Sequence, residues 1–442
     1  MAGPDPLREI VGMHKGGKAV GIYAVCSAHP FVLEAAVQQA VADGSFLLVE
    51  STSNQVDQFG GYTGMTPAHF AAFVRDVAER YGLPHERVIL GGDHLGPNVW
   101  RNQPADRAMR LAKDQIRAYV HAGYRKIHLD TTMRCADDPG SPDEPLDPEI
   151  VARRSAELCN VAEEAALSAG GDGLPPVYVV GTEVPPPGGA TGQTHAVEPT
   201  RLESLKQTVE VTRKAFLDRK LEAAWKRVVA VVVQPGIEFS DMNVIDYDRQ
   251  KVTALKEFIA ADPQLVFEAH STDYQTTRKL REMVEDHFVI LKVGPALTFA
   301  FREAVFALEA IEKEWVGRRK GETLSDLANT VTHVMLENPK HWEKYYRRDE
   351  EFQRLSLTYS YSDRIRYYWS HPDVQRSLRI LMDNLTTHPA PLNLISYFLP
   401  NQYRAIREGV ISNNPRDIIH HKIREVLERY SEATRTATVY CT

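Results

Sequence analysis

Val88 to Asn98 reads VILGGDHLGPN: an apolar run, two glycines, then Asp93 and His94 side by side. An apolar run ending in a glycine-loosened turn is the pattern of a buried strand that delivers polar side chains at its carboxyl end. Imidazole is the commonest protein ligand for metal ions, and a carboxylate beside it can serve as a general base. The pair suits a site where one residue holds a cation and the other moves a proton. Taken alone it suits an ordinary strand-end turn equally well, so the surrounding chain has to decide.

Working outward, the same architecture recurs seven more times. GIYAVCSAHP (21–30) and FLLVESTSNQ (46–55) precede it; KIHLDTT (126–132), VYVVGTEVPPPGG (177–189), VVAVVVQPGIEF (228–239), LVFEAHSTD (265–273) and FVILKVGPALT (288–298) follow. Each runs into a helical pattern, often opened by proline, as at Pro67, and closed by glycine. Nearly continuous apolar strands alternating with helices imply a parallel sheet covered on its outer face. Eight such units predict an α/β fold, a (β/α)8 TIM barrel over residues 1–315, with a doubly wound open sheet as the alternative. After VGRRKGET (316–323) the alternation stops. Residues 316–442 read as a helical C-terminal extension packed on the barrel, capping its mouth or forming an oligomer contact; a homo-oligomer is expected.

Composition narrows the partners. A net charge of −7 and a pI near 6.2 argue against nucleic acid or membrane surfaces, which call for basic patches. The four cysteines show no CxxC spacing and fit a reducing compartment. No apolar run approaches the roughly 20 residues of a membrane span, and the amino-terminal stretch lacks a signal-peptide core. The expectation is a cytoplasmic protein with a small-molecule substrate.

In barrels of this kind the site lies at the carboxyl ends of the strands. Those ends carry Glu50 and Asn54, Asp93 and His94, His128 and Asp130, Glu183, Glu268 and His270, and Lys292. Residues two apart on a strand share a side, which pairs Glu268 with His270 and His128 with Asp130. His94, Glu183 and His270 are read as a mixed nitrogen and oxygen site for a divalent ion, zinc, manganese, cobalt or nickel. His128, deeper in its strand, is read as a core histidine. Asn54, Glu268, Ser271, Asp273, Lys292 and Gly294 are assigned to substrate, the last four partly because turns after strands seven and eight often bind phosphate through N–H groups. Cys26 reads as a packed residue and Tyr359–Trp369 as packing, with polar contacts available from Ser362, Asp363 and Arg364.

The motifs VCSAHP, ESTSNQVDQFGGYTGMTP, GGDHLGPN, GTEVP, FEAHSTDYQT, LKVGPALTFA, YSYSDRIRYYW and LPNQY together resemble the Z-type subunit of bacterial tagatose-bisphosphate aldolase, over nearly the whole chain. The resemblance implies one of two roles. Z-type chains are regarded as non-catalytic companions of a class II aldolase subunit, while some relatives act alone as ketohexose or ketohexose-phosphate 4-epimerases. Class II aldolases are more distantly similar metal-dependent barrels. Their Asp-His pair resembles Asp93–His94, with the acid moving a proton and the imidazole on zinc, and a further histidine ligand falls near His270. Their remaining ligand follows a Gly-Thr turn, where this chain has GTEVP and offers Glu183.

The chemistry of C4 inversion is consistent with those parts. C4 of a 2-ketose is not adjacent to the carbonyl, so the C3–C4 bond must break and re-form. Aldolase and epimerase therefore need the same groups. Asp93 is expected to take the proton of the C4 hydroxyl, with Asp130 or Glu50 as partner.

Overall fold

A computed structural model describes residues 5–141, 144–169, 174–181, 197–346 and 350–435. Eight parallel strands close into a barrel: β1 (Ile22–Val25), β2 (Leu47–Thr52), β3 (Val88–Leu95), β4 (Lys126–Leu129), β5 (Val177–Gly181), β6 (Val228–Val232), β9 (Val266–Ala269) and β10 (Phe288–Val293). The order around the barrel is β1-β10-β9-β6-β5-β4-β3-β2, so chain neighbours are barrel neighbours. A small antiparallel pair, β7 (Glu238–Phe239) and β8 (Val244–Ile245), sits in the connection after β6. The fold is the (β/α)8 barrel with helices following it. The open-sheet alternative fails because β1 pairs with both β2 and β10.

Inside the barrel, side chains change character along each strand with a period of two. Leu48 is followed by Glu50, Val266 by Glu268 and His270, Ile290 by Lys292, and Lys126 by His128 and Asp130. The amino-terminal half is a packed apolar cluster that includes Ile22, Leu48, Val177, Val266 and Ile290. It is plugged from below by Leu7, Ile10 and Val11 of the helix Pro6–Lys15. That helix went unread in the sequence, because its apolar face is short and the segment precedes the first strand. Its Asp5 cap accepts the Arg8 N–H, and Pro6 opens it.

After the last barrel helix, Pro295–Trp315, the chain continues through helices that include Leu327–Glu337, Pro372–Thr387 and Pro415–Thr434. One apolar core runs through both parts of the chain. Helix Pro415–Thr434 packs against helices Pro30–Asp43, Thr277–Glu285 and Pro295–Trp315, and its Thr434 carbonyl accepts the Gly21 N–H at the start of β1. Buried Glu34 on the first barrel helix accepts from His420 at 2.8 Å and Arg416 at 2.5 Å. No helix among the described residues is long and apolar enough to cross a membrane.

Candidate active site at the barrel mouth

The floor of the mouth is a buried electrostatic node. Lys126 Nζ stands 2.6 Å from Glu50 Oε1 and 2.6 Å from Glu268 Oε2, all three side chains fully buried. Lys292 adds a second ammonium, 3.3 Å from Glu50 and in contact with Asp93. Burial alone would lift Glu268 and depress Lys126. Their mutual attraction wins, holding the carboxyl well below and the ammonium well above its ordinary range. Gly91 makes room for this, since a Cβ there would come within 2.7 Å of Glu50 Cγ.

Above the floor, Asp93 and His94 are adjacent in sequence and would normally point to opposite faces. They do not, because His94 adopts φ +49° and the β3–β4 register shifts between Gly92 and Leu95. This left-handed kink brings both side chains to the barrel interior; such strain in a non-glycine residue clusters at functional sites. Ser271, next to His270, repeats the device with φ +53°.

Three imidazoles and one carboxylate converge there. Donor atoms of Asp93, His94, His128 and His270 all lie within 4.8 Å of one another. His94 Nδ1 stands 2.7 Å from Asp130 Oδ2, and His270 Nε2 stands 3.0 Å from Glu268 Oε1. An imidazole that gives one N–H to a carboxylate presents its other nitrogen as a lone pair, the arrangement that orients metal-binding histidines. On His270 that other nitrogen, Nδ1, is buried without a hydrogen-bond partner. His128 Nδ1 lies 3.2 Å from the His94 N–H and 3.1 Å from Asp93 Oδ1. Burial pushes both His128 and His270 down to about 4, so both are neutral near pH 7.

This donor set fits a divalent ion. Two nitrogens on one ion are at most roughly 4.2 Å apart, twice the metal–nitrogen bond, so the cluster has under about 1 Å to close. Four carboxylates (Glu50, Asp93, Asp130, Glu268) also face only two ammoniums (Lys126, Lys292), leaving two negative charges for a cation to balance.

The cavity over this cluster has a volume of about 410 Å3. Of the residues assigned from sequence, Asp93, His94, Asp130, Asn54, Ser271, Asp273, Lys292 and Gly294 line it. Glu50 and Glu268 do not. They lie beneath it with no exposed surface, so the substrate contact expected of Glu268 gives way to orienting His270, and Glu50 steadies the two lysines. Gly294 lines the cavity, but its N–H and that of Ala296 already donate to Asp273 Oδ1 at 3.0 and 2.8 Å, so these amides are not free for phosphate. Glu183 lies outside the described residues; β5 is described as far as Gly181.

Two features were missed in the sequence. His128 joins the imidazole cluster instead of resting in the apolar core; the signal was its two-residue spacing from Asp130, which puts both inside the barrel. Arg101, Arg366, Tyr345 and Tyr367 also line the cavity, together with Arg364. The last four come from the segment after the barrel; Arg364 reads in the sequence as available for polar contacts and Tyr367 as packing, and nothing local shows that they line this cavity.

A closed parallel barrel whose carboxyl-end mouth gathers acids, imidazoles and a lysine is an enzyme-like barrel with a cluster that could hold a metal ion. Residues 7–435 match the family described as D-tagatose-1,6-bisphosphate aldolase subunit GatZ/KbaZ-like, and the chain belongs to that family. It is similar to the crystal structure of a probable tagatose 6 phosphate kinase from Sinorhizobium meliloti 1021. That likeness has 44% identity and a TM-score of 0.84, and covers 93% of this chain and 100% of that one. Remote likenesses include the YdjI aldolase from Escherichia coli K12, with 9% identity, a TM-score of 0.40, and 85% and 96% of the two chains covered. A fructose-bisphosphate aldolase from Campylobacter jejuni stands at 13% and 0.40, with 86% and 94% covered.

Proposed function

We propose that this protein is a metal-dependent 4-epimerase of ketohexoses or their phosphates, linking the fructose and tagatose series by retro-aldol and aldol steps. The observation that carries the proposal is the convergence of Asp93 with three imidazoles, two of them aimed by carboxylates, on one point of the cavity. His94, His128 and His270 would hold the ion. When bound, a zinc, manganese, cobalt or nickel ion supplies a Lewis acid that draws electron density from the C2 carbonyl and C3 oxygen.

Asp93 accepts the proton of the C4 hydroxyl. The O–H electron pair becomes the second bond of a C4 aldehyde, the C3–C4 bond breaks, and its electrons pass into a C2–C3 enediolate of the C1–C3 fragment. Lys292 contacts Asp93 and offsets its negative charge. Asn54 and Ser271 line the cavity within reach of hydroxyl groups. Rotation of the retained aldehyde, attack by C3 on its other face, and return of the proton from Asp93 give the 4-epimer. Retaining the fragment separates epimerase from aldolase; Tyr345, Arg364 and Tyr367 from the segment after the barrel line the same cavity.

The second reading is a non-catalytic companion that supports a class II aldolase chain; it is favoured by membership of a family of aldolase subunits. Purified protein alone, given fructose, fructose 6-phosphate or tagatose 1,6-bisphosphate with and without EDTA, separates the two. The first reading expects 4-epimer formation that stops with chelator and returns with added ion. Inertness on all three, with turnover appearing only when an aldolase chain is added, overturns it.

A further inference from the structure

Inverting C4 raises a proton problem that Asp93 alone does not solve. Asp93 takes the hydroxyl proton on the side where O4 first lies, but the aldehyde must then turn about the C4–C5 bond. That turn swings O4 away from Asp93. The alkoxide formed when C3 adds to the other face needs a proton where it now lies. A second donor has to reach the same cavity from elsewhere in the chain.

Tyr367 meets that description. It is half-buried and lines the cavity together with Asp93, but it comes from the segment after the barrel, whereas Asp93 stands near the end of β3. Its ring is clamped: His341 stacks on it with centroids 4.7 Å apart and 12° between the planes, and Tyr62 meets it edge-on at 4.9 Å. Its hydroxyl accepts from Arg366 at 3.2 Å and also from Arg364. Arg366 is held by donating to the Asp363 carbonyl at 3.0 Å, and Arg364 lies over the Tyr345 ring, 3.4 Å from its centroid. Guanidiniums carry N–H donors and no acceptor, so the phenol hydrogen can be directed at neither. It is left for a ligand in the cavity, and the same two cations stabilise the phenolate that remains once it is given. Burial raises the phenol, but Arg366 and then Arg364 more than offset it and hold Tyr367 below the ordinary tyrosine range, whereas burial pushes neighbouring Tyr62 up.

We infer that Tyr367 is a second acid–base residue of the epimerisation, giving its phenolic proton to O4 after the aldehyde has turned. The phenol O–H bond breaks as the new O4–H bond forms, which leaves Tyr367 as phenolate and Asp93 still protonated. Water in the cavity relays the Asp93 proton to the phenolate. The proton that Asp93 returns therefore arrives by way of Tyr367, and the net change is the inverted C4. In the reverse direction the phenolate takes the O4 proton first and Asp93 gives its own. This role rests on the epimerase reading above, and it makes the segment after the barrel part of the chemistry.

The test compares the full chain with Tyr367→Phe, both saturated with the divalent ion, on fructose and fructose 6-phosphate. Two further measurements accompany the rate. One is calorimetric binding of a hexitol and a hexitol 6-phosphate, which lack the carbonyl and cannot react. The other is competition for the ion against a chromophoric chelator. Losing an acid–base group lowers kcat for the 4-epimer by about 10²- to 10⁴-fold, while hexitol and ion affinities stay within about threefold. They stay because the hydroxyl meets O4 only after the turn, which a hexitol never makes.

A kcat in Tyr367→Phe within about threefold of the parent overturns the inference and leaves the epimerase reading standing. So does a loss of hexitol or ion affinity as large as the loss of rate, which would make the ring a wall of the site and no more. A parent chain inert on both ketoses is a different failure, read before any variant is made: it removes the reaction, and this step with it.

Discussion

Replacing Asp130 with asparagine tests how the imidazole cluster is built. Asp130 Oδ2 is 2.7 Å from His94 Nδ1, and Oδ1 accepts the Thr132 N–H at 3.2 Å and its hydroxyl at 2.7 Å. An asparagine can occupy the same place, but only one of its two terminal atoms is an acceptor. The Thr132 N–H claims that oxygen, which turns the amide NH2 toward His94 Nδ1. Nδ1 must then accept, moving the ring proton to Nε2, the nitrogen that faces the cluster. Loss of an outer carboxylate typically weakens metal binding about 10- to 100-fold, or about 1.4–2.7 kcal/mol. The forced tautomer places Asp130→Asn toward the upper end. The assay is competition for Zn2+ and Mn2+ against a chromophoric chelator, with circular dichroism and melting in EDTA showing that the fold persists. An affinity within threefold of the parent for both ions would refute this account of His94.

Further outcomes follow from the same geometry. Asp93→Asn removes the proton acceptor and lowers kcat by about 10²- to 10⁴-fold, measured with the ion bound at saturation. Lys126→Met removes the nearer ammonium from buried Glu50 and Glu268, leaving only Lys292 at 3.3 and 3.7 Å, and costs about 3–5 kcal/mol, read as a lower midpoint in urea; an unchanged midpoint would contradict the charge balance drawn for the floor. The apoprotein loses stability in acid in a defined window. Burial holds His128 and His270 near 4 and His29 near 3, against 6.5 unfolded, so the unfolded chain binds more protons. Their contribution is present in full above about 6.5 and lost as pH falls through about 4, which melting temperatures from pH 8 to 4 would trace.

The barrel was legible because its determinants are local. A strand's period of two, apolar continuity and proline or glycine at helix ends are written within a few residues of one another, as in VILGGDHLG and the seven stretches like it. The strand ends gave Asp93, Asp130, His270 and Lys292 as side chains gathered at one end, whereas His94 joins Asp93 inside the barrel only through its left-handed kink. Local pattern could not tell how far down the barrel each would sit. Glu50 and Glu268 share their strands with site residues yet lie beneath the cavity, because depth depends on strand stagger around a closed sheet.

What tertiary structure alone decided is whatever depends on distant parts meeting. His128 became part of the cluster because the His94 kink tilts that ring to within 4.9 Å of it. Asp273 closed the amide cradle that KVGPAL seemed to leave open, since β9 and β10 are neighbours whose loops touch. Arg364 and Arg366, more than 200 positions from Asp93, reached the mouth only through packing of the helices around them. Sequence records the periodicity that makes a barrel, since hydrogen bonding and side-chain alternation act between near neighbours. Where charges meet across the barrel is fixed by closure and packing, which no window of the chain contains.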